Sequence, residues 1–201
     1  MAYNWRQMSD AQRVEVLRHR RLADQPWHAP PHGLEKGWSH ISAACYEHQP
    51  IIGATPERMA AFEQALLAAL TQASQGVGAW CLLPNHYHAL VQTLSVHACR
   101  QALGRLHGLT SRQWNSEDER DGRHCWFRCL PKPIHSERHR WATMNYIHNN
   151  PVHHGYATHW QDWPFSSAQV YLCSVGRDTA ERLWREYPIL DMGQNWDDPD
   201  L

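Results

Sequence analysis

Two apolar runs, VGAWCLL (77–83) and HYHALVQT (86–93), are separated by Pro84 and Asn85 alone. Runs of this length with so short a connection fold back on one another, so the sequence demands a β-hairpin. Around that hairpin the pattern alternates. HISAACY (40–46) reads as a first strand. Thr55 then offers an N-cap oxygen and Pro56 an N1 residue, while Met59, Phe62, Leu66, Leu67 and Leu70 fall on one helical face. Gly76 and Gly78 are expected to close that helix. A second helix is expected over 96–114, with Gly104 and Gly108 inside it. NSEDERDGR (115–123) reads as a polar loop and HCWFRCL (124–130) as a further strand. Ser136 is placed to cap a last helix ending near Asn150, because Pro151 biases the residue before it away from helical geometry. The order β-α-β-β-α-β implies an α+β fold with the ferredoxin-like (split βαβ) antiparallel sheet, helices packed on it, and an additional C-terminal helix that bears Tyr146.

Three segments follow. Residues 1–38 hold a short charged helix from Ser9 and an extended arm, WHAPPHGLEKGW (27–38), whose adjacent prolines deny helix and sheet their donors. Residues 39–157 hold the alternating elements, and 158–201 form an extension with an acidic tail. Charge is unevenly spread: 1–21 carry +3, 100–140 carry +4 and 177–201 carry −4, within a net charge of −1. That balance excludes a uniformly basic nucleic-acid coat and leaves room for local basic faces. The most apolar stretch, 59–70, is interrupted by Glu63 and Gln64 and is too short to span a bilayer. The N-terminus has no apolar signal-peptide centre, and the six Cys form no CxxC pair. A cytoplasmic setting, with no membrane partner, is expected.

The chemistry concentrates at two places. In His86-Tyr87-His88, side chains two apart on a strand share a face, so both imidazoles can reach one ion while Tyr87 points into the packing layer. Alone, such a pair also suits an ordinary polar sheet face in a chain with 16 His. In MNYIHNNPVHHG (144–155), Tyr146 and Asn150 are four apart and share a helix face. Two imidazoles and an amide oxygen can hold a divalent cation and leave positions open for substrate oxygens. Mg²⁺ or Mn²⁺ suits such a set, though imidazole also accepts Zn²⁺. A tyrosine beside such an ion is what phosphodiester cleavage through a phosphotyrosine requires.

LPNHYHALVQT (83–93), YIHNNPVHHGYA (146–157) and DWPFSSAQVYL (162–172) resemble the REP-associated tyrosine transposases, relatives of the single-tyrosine HUH-type transposases. The arm PWHAPPHG (26–33) and RLHGLTSRQWN (105–115) resemble the same group, so the likeness covers most of residues 1–190. The resemblance implies that 39–157 is an HUH catalytic domain, that His86 and His88 are paired metal ligands, that Tyr146 is the nucleophile and that Asn150 is a third ligand. It implies a single-stranded DNA endonuclease and strand transferase that acts on palindromic REP-like hairpins, makes a 5′-phosphotyrosine link with Mg²⁺ or Mn²⁺, and works as monomer or homodimer without a nucleotide cofactor. CWFRCLPKP (125–133), with its two Cys, departs from that pattern.

Arg100, Arg105, Arg112, Arg128, Arg138 and Arg140, with Trp114, are candidate DNA contacts, and Trp126 is a further base-stacking candidate. The bias of 17 Arg to 2 Lys favours bidentate phosphate and guanine contacts. Each also has a plain alternative, a solvated face for the arginines and core packing for the tryptophans. Cys125 and Cys129 with His124 read as buried thiols rather than a zinc site. Two rival functions stand beside the transposase reading: a replication-initiator or relaxase-type HUH nickase, and a catalytically inactive DNA- or RNA-binding relative. The tail from Arg177 onward is a candidate restraint on a basic groove.

Overall fold

The computed structural model describes residues 37–189 together with Ser9, Ala11, Gln12, Val14, Glu15 and Arg18. The chain divides into two units, Met1–Glu35 and Lys36–Leu201. In the first, Ala11, Gln12, Val14, Glu15 and Arg18 are helical. The Ser9 and Gln12 side chains each accept a hydrogen bond from the other's backbone N–H, a capping box that starts this helix. The proline-rich arm lies outside the described residues up to Lys36, and Gly37 and Trp38 already belong to the first strand.

The second unit runs β1 Gly37–Ala44, α1 Pro56–Ala73, β2 Gly76–Leu82, β3 His86–Thr93, α2 Val96–Glu117, β4 Leu130–Pro133, α3 Glu137–His153, α4 Ala168–Val175 and α5 Arg177–Glu186. The sheet order is β2-β3-β1-β4, and every pairing is antiparallel. β3 therefore lies between β1 and β2, the split βαβ arrangement that the element order implies. Each main helix starts on a hydroxyl that accepts a backbone N–H: Thr55 from Arg58, Ser95 from Ala98 and Ser136 from His139. The Arg58 guanidinium ties the start of α1 to the end of α2, donating to Asp118, Glu117 and the Ile51 carbonyl. Arg58, and Arg123 beside it, hold the Asp118 carboxyl down to about 2.

Alternation along β3 separates two packing layers. Tyr87, Ala89 and Val91 face α1 and α2, where they meet Phe62, Leu66, Leu70, Leu103 and Trp114. His86, His88 and Leu90 face the other way, toward α3, where Leu90 joins Ala79, Cys81, Met144, Tyr146 and Ile147. The outer edge of β2 is covered by the DWPFSS segment. Leu82 N–H donates to the Phe165 carbonyl, Ser167 N–H to the Trp80 carbonyl, and the Trp163 indole to the Leu82 carbonyl. His148 of α3 meets the Ser167 hydroxyl at 2.9 Å, and burial lowers its pKa from 6.5 to about 3. This motif closes a sheet edge that would otherwise invite pairing with another chain.

Several boundaries differ from the sequence expectation. β1 begins three residues early, and Tyr46–His48 is a 3₁₀ turn. Gly76 and Gly78 do not close α1, which ends at Ala73; both lie in β2. Gly78 sits at a register shift, where a Cβ would stand 2.7 Å from the Trp38 ring. The strand expected over 124–130 is displaced to Leu130–Pro133. Trp126 makes one bridge to Cys45, and its ring stacks on His107 at 4.1 Å, so core packing bends this segment out of the sheet. Pro131 and Pro133 fit β4 because it is an edge strand that needs donors on one side only. α3 continues past Asn150 through the buried Pro151 to His153, so the proline sits in the last turn of the helix. In the extension, α5 carries its own ion pairs and packs on α3, where the Asn145 amide donates to the Leu183 and Tyr187 carbonyls. Four of the acidic residues expected to restrain a basic groove, Asp191, Asp197, Asp198 and Asp200, lie outside the described residues. Among the described residues no helix is long and apolar enough to cross a membrane.

Candidate active site

β3 presents His86 and His88 on the face covered by α3, and α3 lays Tyr146 and Asn150 over them. All four side chains are buried, with Tyr146 4% exposed. The Tyr146 hydroxyl stands 3.5 Å from His88 Nε2 and 3.4 Å from Asn150 Nδ2, which donates to it. Asn150 Oδ1 lies 3.0 Å from His86 Nε2. The phenol, the amide and both imidazoles thus converge within one chain, and no helix from a second copy is needed to bring them together.

The other ring nitrogens are engaged as well. His86 Nδ1 meets Asn85 Oδ1 at 2.8 Å, and the Asn85 amide donates to the His48 carbonyl, which fixes which end of Asn85 faces the ring. Asn85 Oδ1 is thus placed to accept from His86 Nδ1, and in that tautomer Nε2 carries the lone pair. Asn150 uses its N–H group on Tyr146 and so aims its oxygen at that same lone pair. Among the described residues, no cluster of three or more His, Cys, Asp or Glu is arranged to hold a metal. A set of two imidazoles and one amide oxygen is smaller, and would leave positions for water or substrate oxygens if it held a cation.

His40, which the sequence did not single out, and His154, which follows the end of the tyrosine helix, join this group. His40, 1% exposed on β1, places Nε2 3.1 Å from His88 Nδ1, and its ring meets that of Tyr146 edge-on at 6.0 Å. The signal was present: Ile41 and Ala43 alternate with His40 and Ser42, so His40 belongs to the face opposite the apolar one. His154 follows Tyr146 and Asn150 at the four-residue spacing, and its ring stands edge-on to His86 at 4.8 Å.

The candidate DNA contacts are distributed differently. Arg100, Arg105 and Arg112 are exposed on α2, across the sheet from the histidines. Arg128 and Arg138 are exposed. Arg140 is half-buried, with its guanidinium 4.6 Å from the Trp141 ring and 5.4 Å from that of Trp38. Trp114 is 2% exposed and packs on Phe62 and Trp126 in the core, so it is not available to stack on a base. Trp126 packs with it. The Cys125 thiol, also buried, lies 3.2 Å from Asn115 Oδ1, and Cys125 and Cys129 are free cysteines. Burial raises Cys129 to about 11, the behaviour of an inert core thiol.

No protein-family profile matches the chain, and no curated protein does. Two solved structures do. One is a REP-associated tyrosine transposase bound to a REP hairpin, matched at 18% identity and a TM-score of 0.55 over 73% of this chain and 85% of that one. The other, from Deinococcus radiodurans R1 and described as a transposase, matches at 18% identity and a TM-score of 0.38 over 60% of this chain and 96% of that one. The subject of the first likeness is the family that the hairpin and tyrosine-helix motifs resemble. The chain has the fold of a REP-associated tyrosine transposase.

Proposed function

We propose that the chain is a site-specific single-stranded DNA endonuclease and strand transferase that acts on palindromic, REP-like hairpins. The observation that carries this reading is the Tyr146 hydroxyl, held 3.5 Å from His88 Nε2 with Asn150 bridging it to His86. The shared fold with a transposase bound to a REP hairpin supports the choice of substrate.

His86, His88 and Asn150 would hold Mg²⁺ or Mn²⁺, which when bound polarises the scissile phosphate and offsets its developing charge. Tyr146 forms a bond from its phenolic oxygen to phosphorus, and the bond from phosphorus to the 3′-oxygen breaks. The DNA on one side stays attached through a 5′-phosphotyrosine, and the other side leaves as a free 3′-OH. The phenol proton passes to water or a substrate oxygen, and the departing 3′-oxygen gains a proton. Asn150 keeps the phenol aimed at the phosphate through its N–H group. Attack by a 3′-OH on the phosphotyrosine reverses these bond changes and rejoins strands. Arg128 and Arg138 would meet DNA phosphates, and the α2 arginines would meet only DNA that passes the far side of the sheet.

Incubating the purified chain with a labelled single-stranded hairpin and Mn²⁺ tests the reading. A covalent protein–DNA adduct is expected, and Tyr146→Phe abolishes it while retaining hairpin binding. Binding by the unaltered protein without an adduct would leave a hairpin-binding protein and end the nuclease reading.

A further inference from the structure

We propose that His40 is a positioning residue that locks the tautomer of His88 and so presets its Nε2 lone pair for a divalent cation. The inference rests on the reading of His88 as a cation ligand and adds a residue from a different strand, 48 positions earlier in the chain.

The contacts allow a chain of hydrogen bonds with one direction. The Asn150 amide can only donate to the Tyr146 oxygen. Tyr146 can then pass its own proton toward His88 Nε2, which accepts it. A neutral imidazole that accepts on Nε2 carries its proton on Nδ1, and Nδ1 of His88 faces His40 Nε2 at 3.1 Å. In that arrangement His40 Nε2 is the acceptor that favours this tautomer. On the neighbouring ligand the Asn85 oxygen does the same for His86, at 2.8 Å. Both proposed ligands then have their outer nitrogen committed and their inner nitrogen turned toward Tyr146 and Asn150, the arrangement that fixes ring orientation in histidine metal sites. Burying an imidazole on the central strand β1 is costly without such a bond, so an apolar residue would be the better choice there if packing were all that mattered.

Two measurements on the full chain test this. The first is Mn²⁺ affinity by calorimetry for the unaltered protein, His40→Phe, His40→Gln and His88→Ala, each with a thermal melt. His40→Phe preserves ring volume without an acceptor and is expected to weaken Mn²⁺ binding about 10- to 100-fold. His40→Gln returns an acceptor and is expected to recover most of that loss. A His40→Phe variant that binds like the unaltered protein overturns the proposal, as does an equal loss in Phe and Gln, which would assign the effect to packing. The second is the ¹⁵N spectrum of the metal-free, unaltered protein, which no folding failure can compromise. His88 is expected as the Nδ1–H tautomer, and finding it as the Nε2–H tautomer overturns the proposal. Undiminished Mn²⁺ affinity in His88→Ala would instead remove the ligand reading itself. Failure to form a DNA adduct would touch neither measurement.

Discussion

At the scale of single residues, the economy of Asn150 is the main lesson of the site. One amide serves two neighbours: its oxygen faces His86 at 3.0 Å and its nitrogen holds the Tyr146 hydroxyl at 3.4 Å. The two duties can be separated by substitution. Asn150→Asp keeps an oxygen toward His86 but loses the donor to the phenol, whereas Asn150→Ala loses both. Asn150→Asp is expected to retain Mn²⁺ affinity within a few-fold and to slow adduct formation. Asn150→Ala should weaken Mn²⁺ about tenfold or more and lose adduct formation as well. Calorimetry and adduct assays on the same preparations check this, and equal metal affinities in the two variants would mean that the oxygen faces no cation. The same residue shows what sequence can reveal. The four-residue spacing from Tyr146 was legible because helix geometry puts such pairs on one face. His40 was not, because its approach to His88 depends on which strands are neighbours and in what register, and register is a long-range property.

Secondary-structure elements carry the next set of constraints, and they explain where sequence reading stopped. The hairpin strand His86–Thr93 and the start of α1 at Pro56 were legible because local chemistry decides them: apolar alternation, a short turn, a hydroxyl cap and a proline. β4 was not, because the apolar residues of 124–130 are recruited by the core around Trp126 rather than by a sheet. Gly78 in β2 marks contact with Trp38 instead of a helix end. Gly53 shows the same kind of close approach beside the site. Its N–H donates to the Pro84 carbonyl at 2.9 Å, and a Cβ there would run into the Pro84 Cβ and Cα. Pro84 leads directly into Asn85 and His86, so displacing the turn moves His86 and the Asn85 side chain that meets it together. Gly53→Ala is expected to destabilise the protein by about 1–3 kcal/mol. It should also weaken the Mn²⁺ binding proposed for His86, which residue 53 reaches only through Pro84. Urea melts and calorimetry measure the two effects. Reduced stability with intact metal affinity would mean that the turn relaxes without moving His86.

For the whole molecule, the sheet divides the interior into two layers, and each layer buries a histidine kept neutral by desolvation. His107 lies between α2 and the sheet, beside the Tyr87 hydroxyl at 3.1 Å, and burial lowers its pKa from 6.5 to about 4. His148 lies on the α3 side against Ser167, lowered to about 3. Protonation is therefore easier in the unfolded chain than in the folded one. The stabilising effect of these shifts is complete above pH 6.5 and is lost as pH falls toward the folded values. In that window each group contributes a slope of up to about 1.4 kcal/mol per pH unit. Asp118 acts in a separate and lower window, because its carboxyl is depressed and its contribution fades only as pH falls below 3.8 toward about 2. Stability is thus expected to drop between pH 6.5 and 4 through both layers at once, before the carboxylate network is touched. The paired variant His107→Gln/His148→Gln should be less stable than the unaltered protein at pH 7, since it disturbs two buried hydrogen bonds. It should nevertheless lose less stability between pH 7 and 4.5, because Gln has no proton to take up. Urea melts at the two pH values give the comparison. Parallel losses in variant and unaltered protein would place the acid sensitivity elsewhere than in these two imidazoles.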